Sequence, residues 1–140
     1  MKINGKSAID IFNSSPSICY QEIKAFIEKG GSISVTDDKG WTLLHFCAEC
    51  WQPEVMQFLI DNGSEINAQD SQGWTPLHLS IDSEIDGAIQ SDNEVKFIMT
   101  KILIENGADL NLTTNDNETP RDIARAYGSE ILNMFEKLIG

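Results

Sequence analysis

Cations are scarce in this chain. Its 140 residues hold ten Lys and Arg against 22 Asp and Glu, a net charge of −12. No basic stripe is present to neutralise a phosphate backbone, which excludes nucleic acid as a default partner. The same sign of charge disfavours an anionic membrane surface. Long apolar runs are also missing: a stretch of about eighteen such residues occurs nowhere, and the opening segment from Met1 to Asp10 lacks the apolar centre of a secretory leader. A soluble, cytoplasmic protein is expected. Cysteine is limited to three, an odd count that predicts thiols in a reducing cytosol and not a disulfide frame. There is no glycine-rich phosphate loop and no serine elbow. At this length the chain is expected to form a single domain, residues 1–140, with enough material for one core.

What the chain does contain is a period. Gly40-Trp41-Thr42-Leu43-Leu44-His45 returns 33 positions later as Gly73-Trp74-Thr75-Pro76-Leu77-His78. Gly30, Gly63 and Gly107 share one register, each followed three residues on by an apolar side chain, Ile33, Ile66 and Leu110. Asp37 and Asp70 stand three residues before Gly40 and Gly73. A fixed spacing of this length marks a solenoid, in which each unit buries its apolar face against its neighbours. Thr42 and Thr75 are good helix caps, and Pro76 stands where a missing N–H costs nothing. The spacing predicts a first helix from about Leu43 to Cys50. A second, from about Pro53 to Asn62, has Val55, Phe58 and Leu59 on one stripe. Gly63 and Gly107 should end their helices in the left-handed conformation, and Asp70-Ser71-Gln72-Gly73 has the chemistry of a turn.

The residues that carry the period resemble the ankyrin repeat: Thr75-Pro76-Leu77-His78, then Asn106-Gly107-Ala108-Asp109-Leu110-Asn111, with Thr119-Pro120-Arg121-Asp122-Ile123-Ala124 as a degenerate copy of the first block. The resemblance implies an all-α solenoid of helix pairs joined by short β-hairpin loops. Four units are expected: about 7–39, 40–72, 73–116 and 117–140. The first, with Ser7 as its helix cap, and the last, which stops after a helix from about Ser129 to Leu138, read as the polar caps of a complete short stack. Eleven extra residues separate Gly63 from Gly107, and they fall between the two helices of unit three, near 82–93. That stretch is read as a surface loop, either a tolerated spacer or a partner contact.

Catalysis finds little support. His45 and His78 recur at one structural register, and in the resembled family this histidine bonds hairpin backbone. Cys47 and Cys50 have Cys-x-x-Cys spacing, but no second ligand pair completes a zinc site and Glu49 makes a poor environment for a reactive thiolate. The expectation is a non-enzyme with no cofactor and no metal; a metal or redox protein using Cys47 and Cys50 is the remote alternative.

The surface is more informative. In the family, hairpin tips, the residue after the hairpin glycine and the end of the first helix line a concave binding face. Carried over by register, that face comprises Asp38, Lys39, Trp41 and Glu49 from unit two, with Cys50. Unit three supplies Ser71, Gln72, Trp74, Asp82 and Ser83, joined by Glu84 and Asp86 of the insertion; the last unit supplies Asp116, Glu118 and Tyr127, with Asn115 and Ala126. Trp41 and Trp74 are read as partner anchors, in preference to rings that only lie flat on their own hairpins. Trp51 replaces the glycine kept at Gly128 and is read as cover for a gap between units. An acidic face with aromatic anchors suits a basic protein partner. A monomeric immunity protein that blocks a cognate toxin is expected, the alternative being an adaptor or regulatory subunit of an endogenous enzyme.

Overall fold

The computed structural model describes residues 19–140, among which there are seven helices: α1 (Cys19–Glu28), α2 (Leu43–Cys50), α3 (Pro53–Asp61), α4 (Pro76–Gln90), α5 (Ile98–Glu105), α6 (Pro120–Arg125) and α7 (Ser129–Ile139). They form two rows. α2, α4 and α6 pack in sequence along one row, α1, α3, α5 and α7 along the other, and the rows are joined pairwise, α2 to α3, α4 to α5, α6 to α7. Extended structure among the described residues is limited to an isolated antiparallel bridge between Thr36 and Thr42. The expected cap at Ser7 lies outside the described residues.

The Thr-x-x-His spacing explains where the inner row begins. Thr42, Thr75 and Thr119 each adopt extended backbone and close a reciprocal box with the residue three positions on: His45, His78 and Asp122. Each hydroxyl accepts from the helix N–H at 3.3 Å, and each N3 side chain accepts from the threonine N–H at 3.0–3.2 Å. Two donors that a helix start leaves orphaned are thereby satisfied, worth about 1 kcal/mol per box. Gly63 and Gly107 follow α3 and α5 at φ +92° and +90°.

The core lies between the rows. Leu43 and Leu44 of α2, Met56 and Leu59 of α3, Leu77, Ile81 and Ile85 of α4, Leu103 of α5 and Phe135 of α7 are almost wholly buried. The expected stripe on α3 is adjusted by one position: Val55 and Leu59 are in the core, Met56 joins them, and Phe58 is half-buried.

The insertion is not the expected loop. α4 runs unbroken for 15 residues, against 8 in α2 and 6 in α6. Ile81, Ile85 and Ala88, at i, i+4 and i+7, are all buried, so the helix continues because its apolar stripe still has a surface to cover. Irregular chain is confined to the residues between Gln90 and Ile98.

Candidate functional site

The hairpins stack through their backbones. The Ser71 N–H donates to the Lys39 carbonyl at 2.9 Å, and the Asn115 N–H to the Gln72 carbonyl at 2.9 Å. Close approach explains the glycine at 73: its φ is +81°, and a Cβ there would meet the Asn115 nitrogen at 2.8 Å. The exposed tip residues Asp38, Lys39, Ser71, Gln72 and Asp116 are therefore held along one edge.

Each tryptophan of the repeated block is half-buried on its own hairpin. The Trp41 ring sits edge-on to Phe46 at 5.0 Å and parallel to His45 at 6.2 Å. Its indole N–H donates to Asp70 at 3.0 Å. Asp70 also accepts from the N–H groups of Gln72 and Trp74, both at 2.9 Å. It thus closes one turn and ties the preceding tryptophan to it. Trp74 lies 5.8 Å from the His78 ring. Both rings thus stabilise their own hairpins, the role that their position makes second to partner contact, and each keeps part of its surface in solvent.

The ends of α2 and α4 bring further expected residues together. Glu49 is exposed, and its carboxyl is raised by partial burial and by the neighbouring charges of Asp82 and Asp86. The Tyr127 hydroxyl donates to Asp82 at 2.6 Å, and burial, then this bond, raises the pKa of that hydroxyl. Glu49, Asp82, Asp86 and Tyr127 thus form one acidic patch across three helix pairs. Glu118 is half-buried. Among the described residues the ion pairs are Arg121 with Glu136 at 2.6 Å, Arg125 with Asp122, and Lys101 with Glu105, and none of them involves the patch.

Glu84 is a correction. It was expected among the partner contacts, but it is 4% exposed. One carboxylate oxygen accepts from the Ile98 N–H at 2.6 Å and the Met99 N–H at 3.2 Å, the other from the Thr100 N–H at 2.8 Å and the Thr100 hydroxyl at 2.9 Å. α5 begins after Phe97, which has no side-chain acceptor. Glu84 supplies the missing cap from another helix. Burial raises its carboxyl, opposed by those four bonds.

Trp51 does span between helix pairs, as its position implied. It takes a left-handed backbone, φ +54°, and its indole N–H donates to Ser83 at 2.9 Å. Ser83 in turn donates to the Glu49 carbonyl. Gly87 makes room for the ring, since a Cβ there would come within 2.5 Å of it. Ser83 is thereby half-buried under Trp51 and serves as its anchor.

The two histidines are engaged in the scaffold. His45 Nε2 meets the Trp74 carbonyl at 2.8 Å and His78 Nε2 the Glu118 carbonyl at 2.9 Å, the hairpin bonds implied by the resemblance. Burial lowers both ring pKa values. Cys47 is buried, and the Cys50 thiol is raised by burial and by Glu49, the opposite of an activated nucleophile. Among the described residues no three His, Cys, Asp or Glu converge as metal ligands, and no helix is long and apolar enough to cross a membrane.

A family model described as ankyrin repeats (3 copies) matches residues 17–90, and one described as ankyrin repeat matches residues 72–115. No curated protein matches the chain.

Proposed function

Because the chain belongs to the ankyrin repeat family, a protein–protein interaction scaffold, we propose that its hairpin edge and the ends of α2 and α4 form a non-enzymatic binding face for a basic protein. The observation that carries this is the patch of Glu49, Asp82 and Asp86, where the charges of both aspartates act on the Glu49 carboxyl, with Asp38, Asp116 and the single cation among these residues, Lys39, exposed on the neighbouring hairpins. Such a patch attracts a partner's lysines and arginines at long range and fixes its orientation. The exposed parts of Trp41, Trp74 and Tyr127 supply apolar contact between the charges. Inhibition would be steric, the stack filling a basic cleft; an immunity protein that neutralises a cytotoxic partner has this design.

The test is capture of partners from the native host by the wild-type chain and by a Glu49→Lys, Asp82→Lys, Asp86→Lys triple variant. The expected partner carries a basic face, and the triple variant binds it at least about a hundredfold more weakly, each lost close charge contact contributing about 1 kcal/mol or more. A partner with no basic face, or equal binding by the triple variant, rejects the reading.

A further inference from the structure

α4 and the turn into α5 enclose a groove that the acidic patch does not use. Its volume is about 680 Å³, and it is lined by Trp51 and Pro53, by Ala88 of α4 with Ser91 just after that helix, and by Ile98. Among the described residues, two of the three exposed large apolar side chains flank it, Trp51 at 48% and Ile98 at 53%. Trp51 turns its indole N–H away to Ser83, and the Glu84 carboxylate in the wall is engaged by the N-terminus of α5. The walls are therefore apolar in effect. The rim is not: Asp92 and Glu94 are exposed, with Lys96 the single lining cation, and among the described residues no ion pair involves Asp92 or Glu94. The groove exists because the insertion prolongs α4 beyond the length of α2, so that the Trp51 turn and α5 face each other across the added helix.

Resting on the reading that the partner is a basic protein, we propose that this groove is a second docking site, which takes a bulky apolar side chain flanked by lysine or arginine on an exposed segment of that partner. Three observations select this occupant. The groove is within the usual range for a bound ligand, yet its two apolar sides are half exposed, which suits a segment laid across it better than an enclosed small molecule. Exposed apolar surface rimmed by charge marks an interaction site. The rim sign selects a basic segment over an acidic one.

The probes are two capped pentapeptides, Ala-Lys-Phe-Arg-Ala and Ala-Glu-Phe-Glu-Ala, titrated into the ¹⁵N-labelled chain and followed by amide and indole shifts. The basic peptide should move the Trp51 indole signal and the amides of Ala88, Asp92 and Ile98, saturating at millimolar concentration, and the acidic one should leave them unmoved. Ile98→Ser and Trp51→Gly should each weaken the response about tenfold while circular dichroism stays unchanged; glycine suits the left-handed backbone at 51, so the second variant removes the wall without straining the chain. No response to the basic peptide, equal response to both peptides, or a response confined to Glu49, Asp82 and Asp86 overturns the proposal. A dimer in sedimentation that Ile98→Ser dissolves overturns it too, since the occupant would then be a second copy. With the captured partner, loss in Ile98→Ser but retention in the Glu49, Asp82, Asp86 triple variant upholds the groove and rejects the acidic face; the reverse rejects the groove alone.

Discussion

His45 and His78 are neutral, with the proton on Nε2. Nδ1 accepts from the threonine N–H three residues before, and Nε2 faces a carbonyl that can only accept. A second proton on Nδ1 would break the capping box. Burial lowers both pKa values in the folded chain, outweighing the hairpin carbonyls and nearby Asp70, which raise them. The unfolded chain therefore binds protons that the folded chain refuses. The stability due to the neutral rings is complete above about pH 6.5 and falls as pH drops below it, at up to about 1.4 kcal/mol per pH unit for each histidine. Glu49 and Glu84, raised by burial, act in the opposite direction closer to the ordinary carboxylate range. The third box separates the effects, because Asp122 is held low by its bonds to Thr119 and stays charged. Corrected for intrinsic exchange, hydrogen-exchange protection of the Thr42 and Thr75 amides should fall between pH 7 and 5.5, and that of Thr119 should not. Equal behaviour of all three would reject the assignment of the titration to the histidines.

At the scale of the element, α5 depends on α4. Three of its first N–H groups end on the Glu84 carboxylate, and no side chain at Phe97 can replace it. Glu84→Ala should cost about 2–3 kcal/mol in urea unfolding, since buried donors are left unpaired. Glu84→Gln, which keeps one acceptor oxygen without the charge, should fall between that variant and wild type. A loss under about 0.5 kcal/mol for Glu84→Ala would mean that water entering from the groove replaces the cap. The helix pairs and the caps at Thr42 and Thr75 were legible in the sequence because a local spacing dictates them; that their partners close reciprocal boxes, and that Thr119 does the same with Asp122, comes from the structure. The acidic patch was legible because register alone places Glu49, Asp82 and Tyr127. The fate of the insertion was not. Asp82, Glu84 and Asp86 count alike as acids, and only the phase of a continuing helix decides which turns inward. Two signals pointed that way: Ile81, Ile85 and Ala88 keep helical spacing, and Lys96-Phe97-Ile98 opens a helix without a capping residue. The half-burial of Trp41 depends on Asp70, 29 positions on, a contact that a reading of each repeat by itself does not contain.

For the molecule as a whole, the excess of 22 acids over ten bases has two consequences that respond oppositely to salt. Within the chain, like charges such as Glu49, Asp82 and Asp86 repel, and the described ion pairs, Arg121 with Glu136, Arg125 with Asp122 and Lys101 with Glu105, are exposed or partly so and contribute little. Screening relieves repulsion that compactness makes worse. Between chains, under the proposed function, the same charges would draw a basic partner, and screening would weaken that attraction. The Debye length shortens from about 30 Å at 0.01 M to about 8 Å at 0.15 M salt, so both effects should develop over this range. Urea is the denaturant to use, being uncharged, whereas guanidinium would itself screen. The urea midpoint of the free protein should rise with sodium chloride while the partner complex dissociates more readily. A midpoint that falls with salt would show that attractive pairs dominate the fold; a complex insensitive to salt would show that the apolar contacts of the tryptophans and the groove, and not the acidic face, hold the partner.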